Sequence, residues 1–313
     1  MACLLDAVVG DPRWFPHPVR WMGYFINWCD QHLHRLLLSS AQQRMAGVLL
    51  AITLPTGAYA AGSLFIWLGN SLDPLWGTIT AVLLAWTTLA ARDLVDHVRS
   101  VLLALRSASL TEARTAVAKI VGRDTDQMDE SEIVRATVET IAESTADGIV
   151  APLFYLVLGG APLALAYKAV STLDSMIGHL DDRYRWFGWA SARLDDAANF
   201  IPARITAVLF VLSAGIVSRS WSVMQRTWQI VLRDGGQHPS PNSGRPEAAM
   251  AGALGVQLGG TNRYDGLPIE RPSLGDPGQP LTRAHIGRAL TLMIWTSLIG
   301  VLLGMGCLLM VKR

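Results

Sequence analysis

Residues 45–91 read MAGVLLAITLPTGAYAAGSLFIWLGNSLDPLWGTITAVLLAWTTLAA, a run in which Asp73 is the one charged residue. This aspartate lies in Asn70-Ser71-Leu72-Asp73-Pro74, a group of turn-forming residues. The arms on either side, 45–69 and 75–91, each approach the roughly 20 apolar residues that are needed to cross about 30 Å of hydrocarbon. The run therefore predicts a transmembrane hairpin.

The composition of the whole chain also favours a membrane protein. Of its 313 residues, 51% are hydrophobic and 16% are charged, whereas soluble proteins have about 25% charged residues. The 26 Lys and Arg nearly balance the 25 Asp and Glu, so composition does not favour nucleic acid as a partner. The three cysteines are far apart and form no CxxC motif, which argues against a disulfide framework or a zinc site.

Three further segments are apolar enough to enter the membrane. They are 148–167, which Pro152, Gly159, Gly160 and Pro162 interrupt, then 205–218, which is short, and 289–311. We expect an all-α polytopic membrane protein with four or five transmembrane or re-entrant helices and additional amphipathic cytoplasmic helices. We further expect one integral membrane domain over 1–313, in which the hydrophilic segments 92–147, 168–204 and 219–288 carry the functional site. The positive-inside rule places 92–147 and 219–288 in the cytoplasm.

The hydrophilic segment 92–147 contains a helix with acidic side chains along one face. These side chains are Glu132, Glu139, Glu143 and Asp147. Like charges four residues apart repel by about a few tenths of a kcal/mol per pair, so the spacing predicts a neutralising group such as a divalent cation or a substrate ammonium. A solvated acidic face is the alternative that spacing alone leaves open.

A second acidic group lies in 168–204 and contains Asp174, Asp195 and Asp196, with Asn199 and Arg204 following. Carboxylate oxygens are hard ligands that suit Mg²⁺, which usually binds one or two protein carboxylates and leaves room for phosphate oxygens. Ordinary surface acids are the alternative. The neighbouring apolar segments favour a site, because an unpaired carboxylate is costly there.

The third polar feature is His238-Pro-Ser-Pro-Asn242-Ser243-Gly-Arg245-Pro-Glu247. We predict a helix over Ala248 to Leu258 that Gly259-Gly260 stops, and a loop from there to Arg283. A helix N-terminus preceded by Asn242, Ser243 and Arg245 favours phosphate binding, and an ordinary capped helix is the alternative. The chain has neither a GxxxxGK[ST] nor a GxGxxG motif, so a nucleotide would be bound without these loops.

Five motifs, in this order along nearly the whole chain, resemble the CbiB/CobD family, the integral membrane adenosylcobinamide-phosphate synthases of cobalamin biosynthesis. The motifs are Gly10-Asp11-Pro12 with Pro16-His17-Pro18-Val19, then Glu139-Thr-Ile-Ala-Glu143-Ser-Thr-Ala-Asp147-Gly148 through Tyr155, Ser171-Thr-Leu-Asp174-Ser-Met-Ile-Gly178, Arg193-Leu-Asp-Asp196-Ala-Ala-Asn199 through Arg204, and His238 through Glu247. Members of the family usually begin with a longer apolar helix, and here only Leu4 to Val9 precedes Gly10.

The resemblance implies a ligase in the cytoplasmic (inner) membrane that uses ATP and Mg²⁺. It would join (R)-1-amino-2-propanol or its O-phosphate to a propionate carboxyl of adenosylcobyric acid, which gives adenosylcobinamide or its phosphate. Amide formation requires activation of the carboxylate and a neutral amine. We expect the acidic groups to gather into one pocket at the membrane boundary.

The expected roles follow from the chemistry of the side chains. The catalytic candidates are Glu139, Glu143, Asp147, Asp174 and His17. The Mg²⁺ ligands would be Asp174, Asp195 and Asp196. The residues expected to bind phosphate or substrate are Asn199, Arg204, Asn242, Ser243 and Arg245.

Two other classes of protein remain as alternatives. A membrane phosphotransferase or prenyltransferase also uses acidic clusters and Mg²⁺, but residues 195–199 match neither DxxxD nor DDxxD. A non-catalytic permease subunit would need polar residues along a membrane path, whereas most acids here lie in the hydrophilic segments. The lipid bilayer is an expected partner, and a homo-oligomer or association with later membrane enzymes of the pathway is left open.

Overall fold

The computed structural model describes residues 1–12, 14–36, 39–179, 181–264 and 266–311. Within these ranges the helices are α1 (Ala2–Val9), α2 (Pro18–Leu36), α3 (Ser40–Leu72), α4 (Pro74–Trp86), α5 (Ala91–Arg106), α6 (Leu110–Val117), α7 (Glu130–Thr145), α8 (Ala151–Ile177), α9 (Trp189–Ser218), α10 (Trp221–Asp234), α11 (Gly244–Leu254) and α12 (Arg283–Val311). Strands β1 (Leu258–Tyr264) and β2 (Leu267–Leu274) form an antiparallel pair, and a π-helical turn, Ala146–Val150, connects α7 to α8.

Five helical segments of the described chain are long and apolar enough to cross a membrane. They are Ser40–Leu72, Pro74–Arg106, Glu130–Ile177, Trp189–Ser218 and Arg283–Met310. Each predicted membrane segment lies within or overlaps one of them. The chain is thus a multi-pass membrane protein of the all-α class, and this prediction is confirmed.

The internal contacts divide the chain into two compact units. The first unit contains 1–90, 151–199 and 304–313, and the second contains 91–150 and 200–303. The expectation of one integral membrane domain over 1–313 stays a prediction.

In the first unit, the predicted hairpin forms with Asp73 as its turn. The Asp73 carboxylate accepts a hydrogen bond from the Leu75 N–H at 2.7 Å and so caps α4, which begins with Pro74. The helix α3 also packs against α8 around a core that includes Leu50, Leu173 and Phe187. Gly47 permits this packing, because a Cβ atom there would lie 1.9 Å from the carbonyl oxygen of Phe187.

The predicted interruption of the third membrane segment is located at Gly159 and Gly160. Gly160 has a φ of +69°, which an L-residue adopts only with strain, and Pro162 follows. Pro152 causes no break, since it follows the π-helical turn Ala146–Val150 and lies within the helical segment from Glu130 to Ile177.

The fourth predicted membrane segment is longer than its uncharged stretch, since α9 extends back to Trp189. Pro202 lies inside this helix and cannot donate a hydrogen bond to the Ala198 carbonyl. The hydroxyl of Tyr155 donates to that carbonyl instead, at 2.9 Å. A side chain from α8 therefore satisfies the backbone group that the proline leaves open.

In the second unit, two predictions about the polar segment before α12 are wrong. The helix predicted over 248–258 spans Gly244–Leu254 and ends at Gly255, whose φ of +68° closes it. The stretch predicted as a loop contains the β1–β2 hairpin. The strand pairing has a β-bulge between Leu258 and Gly260. Glycine is required at 259, because a Cβ atom there would lie 2.1 Å from the Pro272 carbonyl oxygen.

We predict that Gly47→Ala lowers the stability of the protein by about 1–3 kcal/mol, because the added methyl group would meet a backbone oxygen of the core. The measurement is the midpoint of thermal unfolding of the protein in detergent. Gly57→Ala is the matched control on the same helix, since a Cβ atom there meets nothing within 4 Å. Equal midpoints for the two variants would contradict the close packing at Gly47.

Candidate active site

The second unit encloses a polar cavity of about 130 Å³. Its walls come from α7, the segment that precedes α7, the start of α11 and the β1–β2 hairpin. The charged and titratable side chains that line it are Arg123, Glu139, Glu143, His238, Glu247, Tyr264 and Arg271. A cavity of this size with three carboxylates and two guanidiniums is a candidate site for a small ligand that carries charges of both signs.

Two carboxylates of the acidic face of α7, Glu139 and Glu143, line this cavity. The Asp129 carboxylate caps the helix by accepting a hydrogen bond from the Glu132 N–H at 2.8 Å. From there the helical repeat turns Glu139 and Glu143 toward the cavity. Glu139 is 5% exposed, so the alternative of a solvated acidic face is wrong at this position.

Glu139 is held by groups from three parts of the second unit. It forms an ion pair with Arg123, which also donates to the Asn262 side chain. The backbone N–H of Gly259 donates to its other oxygen at 2.8 Å, and Arg135 lies 3.8 Å away. Both carboxylate oxygens of Glu139 therefore already have partners.

Glu143 and Glu247 face the cavity as a pair. Glu247 lies in the first turn of α11, is 5% exposed, and lies close enough to Glu143 for the two negative charges to interact. Burial raises the pKa of Glu247 well above its usual range, and the negative charges of Glu143 and Glu139 raise it further. These effects favour the protonated form of the Glu247 carboxyl when no cation is bound.

His238 and Arg271 form the opposite, cationic part of the lining. Nδ1 of His238 accepts from the Ser240 N–H at 3.0 Å, and Nε2 lies 2.6 Å from a guanidinium nitrogen of Arg271. Burial lowers the pKa of His238, and the charge of Arg271 lowers it further. Of the five N–H groups of Arg271, one faces His238 and one donates to the Tyr264 hydroxyl at 2.8 Å, so N–H groups of Arg271 remain for an anion.

Four of the five residues predicted to bind phosphate or substrate, Arg204, Asn242, Ser243 and Arg245, lie in the second unit, whereas Asn199 lies in the first. The Ser240 hydroxyl accepts from the N–H groups of Asn242 and Ser243, at 3.2 and 3.3 Å, while the Ser243 side chain makes no capping hydrogen bond to α11. Nε of Arg245 is buried without a hydrogen-bond partner among the described residues. Arg204 lies close enough for the two positive charges to repel, so this group favours an anion.

The second acidic cluster lies in the first unit. Asp174, Asp195 and Asp196 are half-buried and their negative charges interact. Asn199 is buried and donates to Asp195 at 2.9 Å, while its own oxygen accepts from the Tyr167 hydroxyl at 2.8 Å. Asn199 therefore orients Asp195.

No group of three or more His, Cys, Asp or Glu within the described ranges is arranged to enclose a metal ion. The three aspartates would need oxygens from a substrate, such as phosphate oxygens, to complete a Mg²⁺ site. The assignment of Mg²⁺ to them stays a prediction.

The remaining two candidates lie elsewhere. Asp147 is half-buried in the π-helical turn after α7 and does not belong to the described lining of the cavity. His17 precedes α2 in the first unit, is 8% exposed, and its Nε2 lies 3.6 Å from an oxygen of Asp11. The gathering of all the predicted acidic residues into one pocket stays a prediction, because the structure describes the two units separately.

Comparison with known proteins places the chain in a family. A family model described as CobD/Cbib protein matches residues 1–293. The chain belongs to the CobD/CbiB family. This confirms the resemblance that the five motifs indicated, and the family is one of cobalamin biosynthesis proteins.

The relatives of the chain cover almost its full length. It is 48% identical over 309 residues to the cobalamin biosynthesis protein CobD of Geobacter metallireducens, which is 98% of this chain and 92% of the relative. It is 42% identical over 294 residues to CobD of Clostridium tetani and 41% identical over 294 residues to CbiB of Salmonella typhimurium, each time with 94% of this chain and 91% of the relative covered. No solved structure matches the chain.

Five of the seven charged or titratable side chains of the cavity were not among the sequence candidates, namely Arg123, His238, Glu247, Tyr264 and Arg271. His238 and Glu247 lie at the two ends of the fifth sequence motif, but a glutamate in a first helical turn ordinarily only stabilises the helix dipole. No sequence pattern indicated a role for Arg123 or Arg271, because their partners, Glu139 and His238, lie in other segments of the chain. Pairing the acids of α7 with arginines of other segments is the step that only the structure supplies.

We predict that Arg123→Ala destabilises the protein by about 3–5 kcal/mol, because it leaves the Glu139 carboxylate buried without its partner. Adding Glu139→Gln should recover part of that loss, because it removes the unpaired charge. Arg99→Ala is the control, since Arg99 forms an exposed ion pair with Asp96 that contributes about 0–1 kcal/mol. Thermal unfolding of the wild type, Arg123→Ala, Glu139→Gln, the double variant and Arg99→Ala measures the effect, and additive losses in the double variant would contradict the pairing.

Proposed function

We propose that this protein is an ATP- and Mg²⁺-dependent amide ligase, which joins aminopropanol phosphate to a propionate carboxyl of adenosylcobyric acid. The observation that supports this proposal is the cavity of the second unit, in which carboxylates and guanidiniums line one small space. An amine substrate arrives as an ammonium, which carboxylates bind. Its phosphate requires cationic donors at a short distance from them.

The size of the cavity supports the amine as its ligand. A volume of about 130 Å³ is below the roughly 300–1,000 Å³ that is typical of pockets for drug-sized ligands. An aminoalkyl phosphate is small enough for a cavity of this volume, whereas a corrin ring or a whole nucleotide is too large. Arg271 would bind the phosphate, because N–H groups of Arg271 remain for an anion.

Mg²⁺ suits the aspartates of the first unit by the chemistry of their donors. Asp174, Asp195 and Asp196 offer hard oxygens whose repulsion a cation would relieve. When bound there, Mg²⁺ would neutralise charge on the ATP phosphates. Arg204 and Arg245, whose positive charges repel, would bind a second anion, either a phosphate of the nucleotide or the propionate.

The reaction balances as follows. The propionate oxygen attacks the terminal phosphorus of ATP, which gives an acyl phosphate and ADP. The neutral amine then attacks the acyl carbon, a C–N bond forms, and the C–O bond to phosphate breaks. The cytoplasmic (inner) membrane is the proposed location, and a homo-oligomer or later membrane enzymes of the pathway are the proposed protein partners.

The test of this function is incubation of the detergent-solubilised protein with adenosylcobyric acid, aminopropanol phosphate and Mg·ATP. We expect mass spectrometry to detect the amide, with ADP and inorganic phosphate released in equal amounts. A phosphorylated or prenylated lipid product with a lipid acceptor would favour the phosphotransferase alternative. Corrinoid transport by vesicles without turnover would favour the permease subunit.

We predict that Arg271→Gln raises the KM for aminopropanol phosphate by about 10- to 150-fold. The reason is that a hydrogen bond to a charged group contributes about 1.5–3 kcal/mol, which this ratio expresses. The KM for unphosphorylated aminopropanol should stay the same. Arg263→Gln is the control, because Arg263 lies exposed on the same hairpin. An equal rise of both KM values for Arg271→Gln would contradict a phosphate contact.

A further inference from the structure

We propose that Glu247, paired with Glu143, is the catalytic base that removes the proton from the substrate ammonium. Glu247 was not a candidate from the sequence, and this role rests on the proposed amide ligation. The amine must lose a proton before it can attack an acyl carbon. The cavity contains the acids that can accept that proton.

Elimination among the three glutamates of the cavity leaves this pair. Glu139 has both oxygens engaged, by Arg123 and by the Gly259 N–H. Glu143 and Glu247 form no ion pair within the described ranges, and both line the cavity. They are therefore the carboxylates that are open to an incoming ammonium.

Several elements of the second unit place charged or titratable groups near Glu247. Those on the cavity side are Glu139 and Glu143 of α7, Arg123 before α7, His238 before α11, and Tyr264 and Arg271 of the hairpin. The charged groups of α10 are engaged elsewhere, since Arg226 donates to the Gly252 carbonyl and Arg233 pairs with Asp234.

This setting makes Glu247 responsive to a cation. Burial and two neighbouring carboxylates raise the pKa of Glu247, while Arg271 lowers it by a smaller amount. A bound ammonium would act in the opposite direction to the carboxylates and favour the ionised form. Substrate binding thus favours loss of the proton from the Glu247 carboxyl. The resulting carboxylate is the base, and it lies next to the substrate ammonium that it must deprotonate.

The proton transfer completes the balance of the reaction. The ammonium N–H bond breaks and an O–H bond forms on Glu247, which leaves a neutral amine. After the C–N bond has formed, the second proton of the nitrogen leaves with the inorganic phosphate. Glu247 returns its proton to water when the next ammonium binds.

The kinetic test compares the pH dependence of kcat and kcat/KM for aminopropanol phosphate in the wild type, Glu247→Gln, Glu143→Gln and Glu112→Gln. We expect Glu247→Gln to lose about 10²- to 10⁴-fold in kcat, which is the usual contribution of a general base, and to lose the rise of the rate with pH. Glu143→Gln should move that rise to lower pH, because it removes a charge that raises the pKa of Glu247. Glu112→Gln is the control, because Glu112 is exposed on α6, and its kcat and pH profile should match those of the wild type.

Thermal unfolding of each variant separates a lost base from a lost fold. Glutamine at 247 can still donate to Glu143, so the midpoint of Glu247→Gln should stay near that of the wild type. A Glu247→Gln variant with the wild-type kcat and pH profile would overturn the proposal. Loss of both the rate and the pH dependence in Glu143→Gln alone would also overturn it, because Glu143 would then be the base.

A binding measurement distinguishes failure of this proposal from failure of the proposed function. Calorimetry of aminopropanol phosphate in buffers of different ionisation enthalpy reports the protons that are released on binding. We expect net release near neutral pH for the wild type and none for Glu247→Gln. Release without any amide product would refute the ligase while supporting the ammonium site. Amide formation without release in the wild type would refute the role of Glu247 alone.

Discussion

The ion pair between Arg123 and Glu139 is the interaction on which the site of the second unit depends. The two side chains are 8% and 7% exposed, where the attraction between opposite charges is strong and an unpaired charge is costly. Through Asn262 and the Gly259 N–H, the same pair fixes the β1–β2 hairpin against α7. One neutralised acid therefore determines where the hairpin, and Arg271 on it, can lie.

This neutralisation also sets the chemistry of the neighbouring acids. Because Arg123 is committed to Glu139, its charge is not available to Glu143 and Glu247. The negative charge of Glu143 therefore adds to burial in raising the pKa of the Glu247 carboxyl. The cavity thus combines a structural acid with a reactive pair, although all three residues are glutamates.

The membrane architecture follows from a one-dimensional signal, the absence of charge over 45–91 and the later apolar segments, and it was predictable for that reason. The β1–β2 hairpin was not predictable, because Gly259 and Pro272 are typical of a loop. The strand pairing and its bulge are seen only in the structure. The acidic face of α7 was found by helical spacing, but its burial was not, because the arginines that neutralise it come from distant segments. Glu247 was missed because its position in a first helical turn has an ordinary explanation.

The narrowness of the cavity of the second unit has a consequence for how selectivity can evolve. Under the proposed function, a space of about 130 Å³ would contact a short aminoalkyl phosphate on most of its surface and would not contact the macrocycle that receives it. Preference for one amine substrate over another would then depend on the few polar side chains that line the cavity. Exchanging those side chains could yield corrinoids with altered linkers while the handling of the ring stays as it was.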